Sequence, residues 1–519
     1  MTILKKIWIK YKLYLIACFL TILYFTLNLA IINDYGVTWD FTYHFNAGLK
    51  QLRLPVKENN FVMFASNPIP DIIPTTFYLI FFEKLKLLPW DSAYNLFSVI
   101  MGSLGIGILF LFISELINPT LAIISSLTLA LLPRYFGHLH NNMKDIPQAT
   151  LFTLSLFLFY RYHNRPVFRN LLSVILALSL SLLTKINAVF IPLIVAFWYL
   201  LPFHLSSFKK RIKTLAIPLS SAFILMFLFW LIIWDHPVDR FFESISTYTT
   251  STTNMPVLYF GKIYYSGVNI PWHYPFGMLA VTTPLPILIF FIIGLFILIK
   301  SMKNRNKSSW LIFLWFFIPL LRFLKPQMLV IDDIRHFMEI VFPLSVISGI
   351  GLVQTMSLFK KVVRKIRYSA CYHFSIYFFY FIYLLWQIIS VHPYQTSYFN
   401  EMINLSKKNS ELFDIDFWTI SYKSSMNWLN KYAPYGSKIT VAMAPDIAKL
   451  YLRDDLKTSL NLNNLTYTDN AIYTKSDYTV ILNRKSFFGW YNIYPYIQNR
   501  TPIFTLKSQE TPLVFIYKN

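Results

Sequence analysis

Residues 146–184 read IPQATLFTLSLFLFYRYHNRPVFRNLLSVILALSLSLLT. Two apolar runs, 146–160 and 170–184, flank a short segment that contains three arginines and no acidic residue. A membrane-spanning helix needs about 20 mostly apolar residues, and cytoplasmic loops between such helices are enriched in lysine and arginine. The stretch therefore predicts two membrane spans joined by a cytoplasmic loop.

The same alternation of apolar runs and basic segments extends along the chain. Five basic segments together carry 20 Lys or Arg and no Asp or Glu. With eleven spans, all five segments fall on one side of the membrane, and this predicts that the side is cytoplasmic. The predicted spans are residues 11–32, 92–116, 119–133, 146–160, 170–184, 186–202, 214–234, 276–300, 309–324, 337–357 and 370–391. The basic segments are residues 1–12, 161–169, 203–213, 300–308 and 358–367.

The composition agrees with this topology. Of 519 residues, 55% are hydrophobic and only 14% are charged, and the mean hydropathy is +0.48. The net charge of +23 lies in short loops and not on a soluble module, which argues against a nucleic-acid-binding protein. Cys18 and Cys371 lie in apolar runs and form no zinc or redox motif. The basic N-terminus precedes the first apolar run without a cleavage site, which predicts a signal anchor.

The remaining loops and the C-terminal segment are then predicted to be extracytoplasmic. We predict an α-helical polytopic membrane protein, with about 11 transmembrane helices in residues 1–391 and a small extracytoplasmic α/β domain in residues 392–519. Ile72–Leu88, which contains Pro74, is either an interfacial helix or a twelfth span. In the C-terminal segment the predicted strands are 438–443, 478–482 and 513–517, and the predicted helices are 423–432 and 446–452. The predicted outer loops are 33–91, 134–145, 235–275 and 325–336.

The first outer loop carries two carboxylates just beyond the first span, Asp34 and Asp40. Ionisable groups near a bilayer are costly to bury, so a cluster of them indicates function. A carboxylate at a membrane-facing cavity is suited to remove a proton from an acceptor hydroxyl. The alternative for either residue is a solvated or helix-capping role.

The second outer loop concentrates polar side chains that suit a phosphate and a sugar. Lys144 or Arg134 would bind the phosphate, and Asp145 and Asn142 would bind hydroxyl groups. The alternative for Asp145 is to cap the next helix, with Pro147 in its first turn.

Two histidines lie in the same loop. His138 and His140 are two residues apart, which matches no standard zinc motif, so no metal site is predicted there. Binding of the sugar is the function that we consider for both.

Two further outer segments carry candidate site residues. Lys185 interrupts the apolar stretch between the fifth and sixth spans, where it either reaches the membrane interface or binds an anion. Trp272, His273 and Tyr274 precede the eighth span. They would stack on a sugar or line a lipid groove, or they would form part of an interfacial aromatic belt.

The fifth outer loop ends in Asp332-Asp-Ile-Arg335-His336 directly before the tenth span. On a helix Asp332 and Arg335 are three residues apart and could form a structural ion pair. Arg335 and His336 would also suit the phosphate of a lipid-linked donor, because guanidinium groups bind phosphate in a bidentate manner.

At these loops the sequence resembles the C-type (GT-C) membrane glycosyltransferases. The resemblance is to the branch of the dolichyl-phosphate-mannose–protein mannosyltransferases and the aminoarabinose transferases of lipid A, and it covers roughly residues 1–430. It is carried by Tyr35-Gly-Val-Thr-Trp-Asp40, Gly137-His-Leu-His-Asn-Asn-Met-Lys-Asp-Ile-Pro147, Leu183-Thr-Lys185, Trp272-His-Tyr-Pro275, Ile334-Arg-His-Phe-Met-Glu339, His392-Pro-Tyr-Gln-Thr-Ser-Tyr-Phe-Asn400 and Phe413-Asp-Ile-Asp-Phe-Trp-Thr-Ile-Ser-Tyr-Lys423.

The resemblance implies an inverting, mannosyltransferase-like hexosyltransferase with juxtamembrane helices in its first loop. A polyprenyl-phosphate sugar would be the donor. The acceptor would be a hydroxyl of a protein, lipid or glycan. Family members often have an Asp-Glu pair in the first loop, whereas Phe41 follows Asp40 here, so Asp34 remains the alternative base. Asp145 matches the second-loop acid, and the donor phosphate would contact Arg335, His336, Lys144 and Lys185.

Other functions and requirements follow from the same residues. No Gly-rich phosphate-binding loop is present in the sequence, which disfavours a nucleotide-sugar donor. No cofactor is required by this chemistry, although a divalent cation is compatible with it.

A transporter or flippase would place polar groups near the bilayer midplane within inverted repeats, and neither feature is apparent. A ligase that uses a diphosphate-linked oligosaccharide remains an alternative. We expect a multi-pass protein of the cell membrane with a cytoplasmic N-terminus.

Overall fold

The computed structural model is mostly helical. It describes residues 3–56, 67–201, 208–234, 236–242, 254–325, 327–363, 369–405, 409–458, 473 and 475–519. Parts of the predicted loops 33–91, 235–275 and 325–336, of the predicted span 186–202 and of the basic segments 1–12, 203–213 and 358–367 lie outside these residues.

The N-terminal three quarters of the chain forms a bundle of helices. In chain order these are α1 (Ile3–Ala30), α2 (Phe41–Gln51), α3 (Pro68–Phe77), α4 (Trp90–Leu116), α5 (Pro119–Ala130), α6 (Pro133–His138), α7 (Asp145–Asn164), α8 (Phe168–Leu182), α9 (Phe190–Leu200), α10 (Phe208–Ile233), α11 (Tyr274–Thr282), α12 (Leu285–Lys303), α13 (Lys307–Phe317), α14 (Val341–Val363) and α15 (Ser369–Ser390). Short 3-10 segments occur at Ile32–Asp34, Ile186–Val189, Ile318–Leu324 and Asp333–Ile340, and a π-helical segment, Tyr78–Lys84, extends α3.

Each of the eleven predicted spans overlaps one of these helices, which confirms the prediction of a polytopic helical membrane protein. Within the described residues, six helices are long and apolar enough to cross a membrane, and four more apolar helices are shorter. The predicted span 276–300 is divided in two: α11 ends at Thr282 and α12 begins at Leu285. Thr283 and Pro284 lie between them, and Pro286 lies in the first turn of α12. Neither proline can donate the backbone hydrogen bond that a continuous helix would need.

Backbone contact between α12 and α14 depends on two glycines. A Cβ atom at Gly294 would lie 1.8 Å from the carbonyl oxygen of Ile347, and one at Gly351 would lie 1.9 Å from that of Phe290. Small residues let helices approach closely inside a membrane, where van der Waals packing and not water exclusion holds helices together. This packing holds α14 in the centre of the bundle, directly after the segment that contains Arg335.

The C-terminal domain contains a four-stranded mixed sheet. Its strands lie in the order β3 (Ile439–Val441), β4 (Tyr478–Leu482), β6 (Thr511–Lys518) and β5 (Phe504–Ser508); β3 and β4 are parallel and the other pairs are antiparallel. The three predicted strands and the predicted helices are therefore confirmed as elements, the helices at Tyr422–Tyr432 and Pro445–Tyr451. Strand β5 was not predicted; it lies at the sheet edge, where partial exposure weakens the apolar pattern.

Two elements of the outer loops also matter for the site. The predicted outer loop 235–275 contains a hairpin of β1 (Pro256–Tyr259) and β2 (Lys262–Tyr265), which the sequence analysis did not predict. Its turn, Phe260-Gly261, has positive φ at both residues, as a tight hairpin turn requires. The α3 segment packs against α2 and α4 and is not among the six long apolar helices.

Candidate active site

Asp40 lies at the start of α2, where the chain turns back after leaving α1. It occupies the position before the helix without capping it, so the predicted capping alternative is not realised. Instead its Oδ2 accepts a hydrogen bond from Nη1 of Arg335 at 3.2 Å. The side chain keeps 27% of its surface exposed, so a substrate hydroxyl can reach it.

Arg335 is shared between two carboxylates. Its Nη2 donates to Oδ2 of Asp332 at 2.6 Å, while Nη1 donates to Asp40. The guanidinium carbon also lies 4.6 Å from the ring centroid of Trp418. The predicted structural pair with Asp332 therefore forms, and it coexists with a contact to the candidate base.

The turn that carries Asp332 is strained. Asp332 and Asp333 have φ angles of 55° and 65°, in the left-handed region. For residues other than glycine, this conformation costs roughly 1–2 kcal/mol each, and such strain persists only where its surroundings enforce it. The enforcing contacts are ion pairs on both carboxylates, and this strain indicates a functional segment.

Arg134 makes one of those ion pairs. Its Nη1 lies 2.7 Å from Oδ2 of Asp333, both side chains are buried, and its guanidinium lies over Phe399. These contacts stabilise the strained turn. The phosphate-binding role that the sequence suggested for Arg134 stays a prediction.

A second ion pair lies beside Asp40 and Arg335. Nζ of Lys185 lies 2.6 Å from Oδ1 of Asp145, and Asn142 donates to the other carboxylate oxygen at 2.9 Å. Asp145 is the first residue of α7 and does not cap it, so the capping alternative is wrong here too. Asp145 lies within electrostatic range of Arg335 and His336, so loops far apart in sequence meet at one site.

The remaining second-loop residues have different surroundings. His138 lies beside Asn142 at 3.2 Å and packs edge-on against Trp418, which places it in the site. Burial lowers the pKa of His138 to about 3, so its imidazole is neutral. Lys144 is half-buried at the start of α7 and contributes to the electrostatic field at Lys185.

Asp34 and His140 belong to a separate cluster. Asp34 accepts from Nε2 of His392 at 2.9 Å, and His140 stacks on Tyr35 with ring centroids 3.8 Å apart. The Tyr35 hydroxyl donates to Gln395 at 2.8 Å. Among the described residues, neither Asp34 nor His140 contacts Arg335. The roles of Asp34 as the alternative base and of His140 as a sugar contact stay predictions.

The segment before α11 contributes one buried residue. Trp272 is 55% exposed and His273 is also exposed; the latter contacts the hydroxyl of Tyr259 at 3.0 Å. Tyr274 is buried, and its hydroxyl accepts from the backbone N–H of Asp333 at 3.2 Å. Tyr274 therefore supports the strained turn, while Trp272 and His273 lie on the surface near it.

His336 is half-buried beside these groups. Its Nε2 has no hydrogen-bond partner among the described residues, and its backbone oxygen accepts from Asn187 and Arg322. It lies within electrostatic range of Arg335, Lys185 and Asp145. An unpaired buried ring nitrogen beside three charged groups is suited to contact a ligand oxygen.

Sequence reasoning missed Arg484. This residue follows β4 in the C-terminal domain, yet its Nη2 donates to Oδ1 of Asp332 at 2.8 Å. Its Nη1 donates to the backbone oxygen of Phe417 at 2.8 Å. No local pattern marks it, because its partner lies 152 positions away in sequence.

Candidate metal ligands do not converge in the described part of the chain, where no group of three or more His, Cys, Asp or Glu side chains could hold a metal ion.

Comparison with known proteins shows a match to part of one family model and a similarity of fold to solved structures. Residues 75–234 match the family model described as dolichyl-phosphate-mannose-protein mannosyltransferase. No curated protein sequence matches the chain significantly. ArnT from Cupriavidus metallidurans bound to undecaprenyl phosphate is 11% identical with a TM-score of 0.52, covering 97% of each chain. The apo structure of the same ArnT is 13% identical with a TM-score of 0.51, and the match covers 95% of this chain and 97% of the ArnT chain. The Archaeoglobus fulgidus oligosaccharyltransferase in complex with Zn and sulfate is 13% identical with a TM-score of 0.50. This match covers 91% of this chain and 68% of the oligosaccharyltransferase chain.

The overall fold is that of the GT-C class of membrane glycosyltransferases. Within that class, the chain resembles the branch of the dolichyl-phosphate-mannose–protein mannosyltransferases and the aminoarabinose transferases, as its loop motifs predict.

Proposed function

We propose that this protein is an inverting glycosyltransferase that moves a sugar from a polyprenyl-phosphate donor to a hydroxyl of a protein, lipid or glycan acceptor. One observation carries the proposal. A partly exposed carboxylate, Asp40, lies against the guanidinium of Arg335, which is within electrostatic range of the Asp145–Lys185 pair. An acid that can accept a proton and a cation that can stabilise a leaving phosphate therefore adjoin each other.

The proposed reaction is a single displacement. The acceptor hydroxyl transfers its proton to Asp40 while its oxygen bonds to the anomeric carbon of the sugar. The bond between that carbon and the phosphate oxygen breaks, and its electron pair stays on the phosphate, so the configuration inverts. Positioned general bases contribute about 10²–10⁴ in rate, and a fixed cation at the developing charge acts without reorganisation.

Donor binding would also activate the base. Asp40 and Asp332 both accept from Arg335, and Asp145 accepts from Lys185, so each cation already has an anionic partner. A phosphate that takes Nη1 of Arg335 displaces Asp40. The released carboxylate loses a hydrogen bond that stabilises its charge, which makes it a better proton acceptor.

The donor class rests on chemistry and on resemblance. A site for a lipid-linked phosphate needs cations for the phosphate and an apolar path for the lipid. Here the cations lie near the ends of helices: Lys185 follows α8 and Arg335 precedes α14. We assign the phosphate to Arg335 and His336, with Lys185 and Lys144 nearby. Undecaprenyl phosphate is the ligand of the similar ArnT structure. We propose that no resident metal is needed, since Arg335 supplies the positive charge.

The proposed site faces the extracytoplasmic side. Asp145 begins α7, and Arg161 lies in the last turn of the same helix, where it pairs with Glu115 at the end of α4. The basic segment 161–169 is thus at the opposite end of the helix from the site. Because basic loops are cytoplasmic, the site is extracytoplasmic, and we propose the cell membrane as its location.

A transporter is the less favoured function. Alternating access requires polar groups near the middle of the membrane. The charged residues of this site lie instead at helix starts and in turns, as Asp40, Asp145 and Lys185 illustrate.

Mass spectrometry of glycolipids and glycoproteins tests the proposal. A deletion strain should lack a sugar modification that wild-type protein restores and Asp40→Asn does not, because an amide cannot accept the proton. Asp34→Asn, the same change at a carboxylate that does not contact Arg335, should restore the modification. Restoration by Asp40→Asn at the wild-type level would remove the proposed base, and the absence of any changed glycan would remove the proposed activity.

A further inference from the structure

The C-terminal domain holds the segment that carries Asp40. The backbone N–H of Trp39 donates to the carbonyl of Trp418 at 3.2 Å. The N–H of Val37 donates to the Tyr451 hydroxyl at 2.8 Å, and Thr42 donates to Asp446 at 2.8 Å. Contacts from the domain therefore occur on both sides of Asp40 along the chain.

The same domain also holds the partner of Arg335. Asp332 accepts from Arg335 through Oδ2 at 2.6 Å and from Arg484 through Oδ1 at 2.8 Å. Both Asp332 and Arg484 are buried, so their interaction is little screened by water. An unbroken row of charges results: Asp40, Arg335, Asp332 and Arg484.

Arg484 is itself fixed in place. Its guanidinium lies 3.8 Å from the ring centroid of Phe487. Two residues on, the N–H of Ser486 donates to Asp414 at 3.0 Å, and the other oxygen of Asp414 accepts from Leu258 in the hairpin at 3.0 Å. Asp414, which precedes the helix Tyr422–Tyr432, thus joins the hairpin to the turn after β4 and fixes the position of Arg484.

We propose that Arg484 is a positioning residue for the donor phosphate, acting through Asp332 on Arg335. This inference rests on the proposed function. With Arg484 present, Asp332 divides its charge between two guanidinium groups. Without it, the full charge of Asp332 acts on Arg335 alone, so Arg335 attracts the donor phosphate that displaces Asp40 less strongly. The C-terminal domain is then part of the active site and not only a module for acceptor binding.

A double-mutant cycle on the full chain tests the inference. The probe is undecaprenyl phosphate added to protein in phosphatidylcholine nanodiscs, with uncharged undecaprenol as the reference lipid. Arg484→Gln should weaken the binding of undecaprenyl phosphate about tenfold, the scale of one hydrogen bond to a charged group. In an Asp332→Asn background the same change should have less than a threefold effect, because the coupling through Asp332 is already lost.

Control variants separate positioning from folding. Arg500→Gln, the same change at an exposed arginine of the domain, should leave binding unchanged. Arg484→Lys keeps the charge but loses the planar fork, so it should lie between wild type and Arg484→Gln; it also serves if Arg484→Gln does not fold.

The outcomes are distinct. If Arg484→Gln has the same effect in the wild-type and Asp332→Asn backgrounds, or no effect in either, the role of Arg484 is overturned. The proposed donor class is still upheld in that case, provided that the wild-type protein prefers undecaprenyl phosphate to undecaprenol. A wild-type protein that binds both lipids equally would overturn the donor class and this inference with it.

Discussion

Arg335 donates to two carboxylates at once, and this sharing explains how one side chain can be both structural and functional. The bond to Asp332 at 2.6 Å is short and buried, whereas the bond to Asp40 at 3.2 Å is longer and its acceptor is partly exposed. A charge-assisted bond weakens as it lengthens, so the Asp40 contact is the one that a phosphate displaces.

Arg335→Ala should weaken the binding of undecaprenyl phosphate at least tenfold. It removes the guanidinium, leaves Asp40 without its cation and leaves Asp332 with Arg484 alone, so stability should also fall, by less than the loss of a fully buried ion pair costs. Arg335→Lys separates the two effects, because it keeps the charge and loses only bidentate geometry. Binding measured in nanodiscs, together with the melting temperature of each variant, checks this; unchanged affinity in both would locate the phosphate elsewhere.

The buried histidines make stability depend on pH. Burial lowers the pKa of both His138 and His140 to about 3, whereas an unfolded histidine has a pKa near 6.5. Between these values the unfolded chain binds protons that the native chain does not, so stability falls as the pH falls below about 6.5. At pH 5 the loss is about 2 kcal/mol for each histidine.

His140→Phe should therefore make the melting temperature less sensitive to acid. Phenylalanine retains stacking on Tyr35 and has no proton to gain, although it loses the bond to the Phe136 carbonyl. Melting temperatures at pH 8 and pH 5, measured in detergent for wild type and variant, provide the comparison. An identical decrease in both proteins would contradict the role of this imidazole.

At the scale of elements, the helices were predictable and their interruptions were not. Apolar runs with basic ends identified the membrane helices because hydropathy depends on local composition. The break between α11 and α12 depends on Pro284 and Pro286, which a span that tolerates a kink can also contain. The strained turn at Asp332 leaves no sequence signal either, since its ion pairs come from distant segments.

The crossing of α12 and α14 yields a prediction at this scale. Gly351→Ala places a methyl group on a backbone carbonyl, which cannot move away without separating the helices. The free energy of unfolding should fall by about 1–3 kcal/mol, and activity should fall with it because α14 follows Arg335. Gly489→Ala, at a glycine with open space around it, is the matched control. Comparable melting temperatures for the two variants would show that the helices can separate at low cost.

At the scale of the whole molecule, the site joins parts of the chain that lie far apart. Asp40 and Arg335 are 295 positions apart, and the sequence paired them only through their common side of the membrane and a family resemblance. Arg484 shared the predicted side of the membrane but lies beyond the stretch that carries the resemblance, and its contact with Asp332 depends on how the C-terminal domain packs against the helices. The residue pattern alone therefore predicts on which side of the membrane the site lies, but not which side chains contact each other there.

That sidedness can be measured directly. Asn304 is exposed within the basic segment 300–308, and Tyr435 is 89% exposed in the C-terminal domain. In a background of Cys18→Ser and Cys371→Ser, we expect a membrane-impermeant maleimide to label Tyr435→Cys in sealed cells. Asn304→Cys should react only after the membrane is opened, because positive loops stay in the cytoplasm. Labelling of both from outside would place the two ends of the helix bundle on one side. Asp40, Asp145 and Arg335 would then lack a defined membrane face from which a lipid-linked sugar could approach.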